Sequence, residues 1–224
     1  MTRMWRSLGH IQELAFRQHM QSRRTFLLGA LGMTAAMAGC TTGELNIFTA
    51  EYGARKDHGY QLPSVPIHQI ARKYHRQIVR YKTDEKPGSI IVDTKDKFLY
   101  FVMPDGKAMR YGIGIGREGF EWKGTTRVAM KREWPTWTPP AEMIKRQPEL
   151  AKWRGGQPGG LSNPLGARAL YLFNRSGDTG YRLHGSPEWN SIGRAVSSGC
   201  VRLINQDIID LYDRVEIGAK VIVI

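Results

Sequence analysis

The sequence predicts a mostly-β domain with one or two helices over residues 88–224. Ahead of it lie an export segment at 1–40 and a linker or N-terminal arm at 41–87. Three observations carry this reading. Short β-branched or aromatic runs are separated by turn residues from Gly88 onward. There is no internal repeat and no alternation of strand with helix. At about 150 residues per domain, 224 residues with 41% hydrophobic content make one core plus extensions.

The first forty residues read as an address. Arg3, Arg6, Arg17, Arg23 and Arg24 stand against a single Glu13, and the apolar stretch Phe26–Ala38 follows. A basic segment, then a short apolar core, then small residues is the order of a secretory signal. Ser22-Arg23-Arg24-Thr25-Phe26-Leu27 resembles a twin-arginine export signal. Ala36-Met37-Ala38 allows ordinary cleavage after Ala38. Met37-Ala38-Gly39-Cys40 resembles a lipobox, which would lipidate Cys40 and tether the chain to a membrane; the sequence leaves both fates open. The expected location is the periplasm or cell envelope.

Residues 41–87 are rich in Gly, Thr, Lys, Arg, His and Pro and show no sustained apolar period. From Gly88 the texture changes. Ser89–Asp93 and Lys97–Met103 read as strands, and Pro104-Asp105-Gly106-Lys107 reads as a turn with glycine where a positive φ is wanted. Ala108–Gly116 pairs back as the hairpin partner, and Thr126–Lys131 is a further strand. Ala141–Trp153 looks helical, broken or kinked at Pro148. Ala169–Phe173 and Tyr181–His184 are short strands. Asn205 is placed to cap a helix from Gln206 to about Glu216, with Ile208, Leu211, Tyr212 and Val215 on one face, and Lys220–Ile224 closes the chain as a strand.

Charge and cysteine content narrow the chemistry. The net charge of +13 falls to +9 without residues 1–40, which still attracts anionic polymers or lipid surfaces. No basic run with interleaved aromatics resembles a nucleic-acid module, so no nucleic-acid partner is expected. Cys40 and Cys200 are the two cysteines, too far apart for a Cys-x-x-Cys pair. Cys200 and His184 alone supply too few ligands for a metal, and no cofactor is implied.

A thiol kept unpaired outside the cytoplasm is a liability unless it is used, although a buried apolar cysteine is the common alternative. Ser197-Ser198-Gly199-Cys200 sets the sulfur behind a glycine, where backbone N–H groups around Gly199 can face a developing oxyanion. His184 ends a strand sixteen residues upstream, and a neighbouring imidazole is expected to lower the thiol pKa and to protonate a leaving amine. Lys131–Pro140 with Trp153 is unusually aromatic and proline-rich. Trp134 is expected there as part of a lid or wall over substrate, the alternative being a cover for the open end of the sheet.

Tyr181-Arg-Leu-His-Gly-Ser186 followed by Val196-Ser-Ser-Gly-Cys-Val-Arg-Leu203 closely resembles the catalytic signature of the L,D-transpeptidase catalytic-domain family. Asn163-Pro-Leu-Gly-Ala-Arg-Ala-Leu-Tyr-Leu172 is similar to the segment that precedes it. The resemblance covers roughly 88–224 and implies a β-sandwich catalytic domain without metal or cofactor. It implies that Cys200 is the nucleophile and His184 the general base, then acid. The substrate would be a peptidoglycan stem tetrapeptide that loses its terminal D-alanine. The thioester would pass to an amine of a second stem as a 3→3 cross-link, to water, or to a protein amine as in lipoprotein attachment. A wall-binding module that has lost activity is a further alternative. Arg202 would order the site or hold a substrate carboxylate, with Gly185 and Ser198 beside it. Many members carry histidine where this chain has Ser198, and Gly124-Thr-Thr-Arg127 lacks the family's usual Thr-Pro-x-Gly turn.

Overall fold

The computed structural model describes residues 51–116, 123–197 and 199–224. The export segment and Cys40 lie outside them. Thirteen strands run in chain order as β1 (Arg55–Asp57), β2 (Tyr60–Leu62), β3 (Gln77–Arg80), β4 (Ile90–Asp93), β5 (Phe98–Met103), β6 (Lys107–Gly112), β7 (Ile115–Gly116), β8 (Gly124–Glu133), β9 (Arg168–Asn174), β10 (Gly177–Ser186), β11 (Ala195–Ser197), β12 (Val201–Ile204) and β13 (Lys220–Val223). The helices are α1 (Ala141–Arg146) and α2 (Asn205–Arg214), with short 3-10 turns between elements.

Nine strands form one mixed sheet in the order β12-β10-β9-β8-β13-β4-β5-β6-β3. The β5–β6 hairpin turns where the sequence says it should: Asp105 and Gly106 both have positive φ (60° and 64°), the geometry of a type I′ turn that matches strand twist. The two ends of the sheet then meet. Gly114 and Arg202 exchange backbone hydrogen bonds of 2.9 and 2.8 Å, and β7 pairs with β11. The expected sandwich is thus reached by rolling one continuous sheet over a single core. Ile90, Leu99, Tyr111, Val128, Leu170, Leu183, Leu203 and Val221 all point into it, with Ile208 and Leu211 of α2 inserted among them.

Pro148 acts as the sequence implies: α1 stops at Arg146 and the chain resumes as a 3-10 turn over Pro148–Trp153. Asn205 acts differently. It is the first residue of α2, not its cap, and its side-chain Oδ1 accepts the Ala167 backbone N–H at 2.9 Å. That N–H is buried between strands and would otherwise lack a partner.

Residues 51–87 pack against the rest of the molecule. β3 pairs antiparallel with β6 as the edge of the large sheet. Tyr52, Ile67 and Ile70 form an apolar cluster with Ile192 and Ile204, while Leu62 packs on Ala167 and Ile209. Each of these isoleucine and leucine side chains is worth about 1.5–3 kcal/mol of burial. Charged contacts cross the same seam. Arg168 grips Asp57 with two bonds of 2.8 Å. Arg76 pairs with Glu51 and, at 3.1 Å, with Asp210.

Candidate active site

The site is built where β10 and β12 run parallel. Their register pairs Leu183 with Val201 and His184 with Arg202. Residues two apart on a strand share a face, and register partners on neighbouring strands point the same way. Leu183 and Leu203 therefore enter the core together, while His184 and Arg202 turn to the opposite face, with Cys200 two residues before Arg202. Gly199 has φ 126°, a conformation open to glycine, and this bend delivers Cys200 to the start of β12. His184, Arg202 and Cys200 accordingly line one cleft of ≈ 850 Å³.

Its opposite wall comes from the excursion between β8 and β9, through Trp137, Met143, Leu150 and Trp153. Asn163 clamps the base of that excursion. Its Nδ2 donates to the carbonyls of Pro135, Gln157 and Pro158 at 3.0–3.1 Å, and its Oδ1 accepts from Leu165 N–H at 2.8 Å. Trp137 and Gln157 exchange backbone hydrogen bonds, which fixes the wall at its middle.

His184 is 4% exposed, and its Nδ1 lies 2.6 Å from the Gly185 carbonyl. A carbonyl only accepts, so Nδ1 carries the proton and Nε2 is left as the ring's acceptor. Burial pushes the imidazole down to about 4; the Gly185 bond opposes the shift, and the charges of Arg202 and Arg182 add to it. Burial raises the Cys200 thiol, against the Arg182 backbone N–H and the charges of Arg182 and Arg202, which favour thiolate. At neutral pH the resting pair is therefore a thiol and a neutral imidazole.

Of the other residues singled out from sequence, Gly185 stands behind the site. Its missing side chain makes room for Asn205 Oδ1, 2.3 Å from where a Cβ would stand. Ser198 lies outside the described residues. Trp134 is not part of the cleft. Its φ of 42° turns it away, its Nε1–H donates to Asp57 at 2.7 Å, and its ring packs on Tyr60 with centroids 4.0 Å apart. Its neighbour Trp137 takes the wall position, and nothing in the aromatic spacing separates the two. Glu188 was also missed. It lines the cleft and holds Arg202 Nη1 at 2.6 Å, although Pro187-Glu188 directly after His-Gly-Ser was a visible signal. Among the described residues no group of three or more His, Cys, Asp or Glu is placed to hold a metal ion.

Residues 87–223 match the family model described as the L,D-transpeptidase catalytic domain. Two Escherichia coli K12 proteins are similar to this chain: the probable L,D-transpeptidase ErfK/SrfK, 37% identical over 144 residues, and the probable L,D-transpeptidase YbiS, 34% identical over 145. Each alignment covers 60% of this chain and 43% of the relative, so the chain spans less than half the length of these curated relatives. Among solved structures, a Brucella melitensis protein described as a probable carnitine operon oxidoreductase is 44% identical. It covers 71% of this chain and 99% of its own, with a TM-score of 0.48. The match to the family model takes in more than half of the molecule, from the strand-opening turn before β4 to the end of β13, and the chain belongs to the L,D-transpeptidase catalytic-domain family.

Proposed function

We propose that the protein is an exported cysteine acyltransferase acting on peptidoglycan stem peptides. The observation that carries this reading is the shared face of β10 and β12, which turns Cys200 and the unprotonated Nε2 of His184 into one solvent-open cleft. Cys200 Sγ attacks the carbonyl that precedes the terminal D-alanine while its proton passes to His184 Nε2. The proton moves during attack, because neither group is ionised at rest. Backbone N–H groups at the Gly199–Cys200 bend face the oxyanion, a contribution of about 3 kcal/mol per donor. The C–N bond then breaks, and His184 returns the proton to the departing amine.

The thioester is next attacked by an acceptor amine, whose proton goes to His184 and then to the leaving sulfur. An amine on a second stem gives a cross-link; water gives a shortened stem. Arg182 and Arg202 favour the negative sulfur at each stage in which it carries charge. Export through the twin-arginine-like segment, with a lipid at Cys40 or cleavage after Ala38, brings the protein to its substrate in the envelope.

Incubation with tetrapeptide muropeptides followed by mass spectrometry tests the reading. Cross-linked dimers, and an acyl adduct on Cys200, are expected. Tripeptides without dimers would assign a carboxypeptidase. Unchanged muropeptides alongside retained binding to sacculi would reduce the protein to a wall-binding module.

A further inference from the structure

Between residues 51–76 and α2 lies a buried cluster that the acyl transfer does not use. Asp207 is fully buried in the first turn of α2. Its Oδ2 accepts from the Tyr52 hydroxyl at 3.2 Å. Its Oδ1 has no hydrogen-bond partner, and Arg76 Nε stands 3.8 Å from it. The Tyr52 hydroxyl in turn accepts from the Arg76 backbone N–H at 2.8 Å. Glu51, on the same segment, pairs with the Arg76 guanidinium. From α2, Asp210 faces that guanidinium at 3.1 Å and accepts two bonds from Arg214. Tyr111 of β6 also donates to Asp210, at 2.6 Å. His75 stands edge-on to the Tyr52 ring, with centroids 6.3 Å apart and Nε2 on the carbonyls of Ile67 and Ile70. Three carboxyl groups thus meet two guanidinium groups, and Arg214 is already committed to Asp210. The cluster balances with one proton on a carboxyl. Asp207 is the member with neither exposure to water nor a donor at Oδ1, so the proton belongs there.

We infer that residues 51–76 are a proton-gated latch: a proton on Asp207 holds the segment down on α2, and its loss loosens the segment toward release. The two groups that contact the Asp207 carboxyl, Tyr52 and Arg76, both belong to this segment. Lifting it therefore brings water to the carboxyl, which favours the charged form in the released state and the neutral form in the docked one. Gln206, beside Asp207, ties the same segment through Nε2 to the carbonyls of Gly53 and Pro63, at 3.3 and 3.0 Å. Those bonds do not titrate, so they set a constant grip that the proton adjusts. The consequence reaches the cleft. Tyr52, Ile67 and Ile70 pack on Ile192 and Ile204. Ile204 ends β12, which carries Arg202, and Ile192 follows the turn beside Glu188. The latch tightens in acid and relaxes toward neutrality. It does not depend on the chemistry assigned to Cys200.

Amide hydrogen exchange on the full-length protein tests the latch, with rates corrected for the intrinsic pH dependence of exchange. The reporters are the N–H groups of Val65, Ile70 and Arg76, bonded to the Tyr52 carbonyl, the Ile67 carbonyl and the Tyr52 hydroxyl. The docked carboxyl takes its proton at about 7, against an ordinary value of 3.8. Opening of the segment should therefore increase about tenfold per pH unit between those values and stay level above them. The Ile192 N–H, bonded to the Trp189 carbonyl, should follow the same course and so read the link to the cleft. Asp207→Asn should remove the slope, and His75→Gln should keep it. Glu51→Gln, at an exposed position, deletes one like charge and leaves Arg76 to Asp207 and Asp210. Its plateau should begin at lower pH, and this variant carries the test where Asp207→Asn does not fold. A flat wild-type profile, a full slope in Asp207→Asn, a lost slope in His75→Gln or an unmoved plateau in Glu51→Gln would overturn the latch. A slope on the segment with none at Ile192 would overturn its reach to the cleft.

Discussion

The molecule buries ionisable groups in two places and treats them differently. At the seam between residues 51–87 and the sheet, charges meet opposite charges: Asp57 with Arg168, Arg76 with Glu51 and Asp210. Burial alone would raise the Asp57 carboxyl, but the Arg168 bonds and charge outweigh it and hold the group below the usual carboxylate range. At the cleft, His184 is buried and Cys200 half-buried beside the charges of Arg182 and Arg202, which lower the imidazole and favour the thiolate against burial. Opposite charges lock the seam, whereas at the cleft burial and like charge favour a neutral imidazole.

The largest effect that would sharpen this contrast is at the sulfur. Cys200→Ser should lower transfer by about 1,000-fold or more with melting temperature unchanged, since a nucleophile is removed and no packing is lost. Mass spectrometry of muropeptides and a thermal melt check it together. The seam should respond in the opposite sense. Asp57→Ala strands the buried Arg168 guanidinium and is expected to cost about 3–5 kcal/mol of stability. Denaturant unfolding measures that cost, and turnover per folded molecule should remain near wild type.

The pH dependence of stability separates the two regions further. The His184 imidazole lies at about 4 in the native protein, below its ordinary value of 6.5, so the unfolded chain binds the extra proton between them. Its contribution is full above about pH 6.5 and is lost as pH falls toward 4, by about 3 kcal/mol at most. Asp207 at the seam runs the other way. Burial raises its carboxyl to about 7 despite Arg76 and the Tyr52 hydroxyl. The native state therefore binds the extra proton between the ordinary value of 3.8 and 7, and stability falls as pH rises through that window. The wild-type profile between pH 4 and 6.5 should be nearly flat. His184→Gln should expose a profile that falls with rising pH, and Asp207→Asn one that rises; unfolding across that range reads both.

The smallest expected effect distinguishes two neighbouring tryptophans. Trp137→Ala should raise KM for polymeric substrate several-fold, as loss of an aromatic contact worth about 0.5–1.5 kcal/mol implies. Trp134→Ala should leave KM unchanged and lower stability instead, because its indole belongs to the Asp57 seam. Steady-state kinetics on sacculi with a parallel melt would decide it.

The parts legible in the sequence are those encoded locally. Val201–Leu203 and Tyr181–His184 carry chemistry and strand pattern in consecutive residues, and Asp105-Gly106 fixes its own turn. The seam was not legible, because its partners are remote. Tyr52 donates to Asp207 across 155 positions and Arg168 reaches Asp57 across 111, and no apolar period marks either end. Asn205 looked like a cap because capping is a local role, while its actual partner, Ala167, is 38 residues away. A motif names the residue, but burial and the positions of Arg182 and Arg202 set its charge.

The central claim of the proposed acyl transfer is that Cys200 and His184 rest neutral, with Nδ1 of His184 protonated on the Gly185 carbonyl. A pH titration of the His184 ring nitrogens by NMR tests it most directly. The account predicts a neutral ring with hydrogen on Nδ1 at pH 7 that takes up its second proton near pH 4. An imidazolium at pH 7 that turns neutral in Cys200→Ser would contradict it, since that is the signature of a thiolate–imidazolium pair.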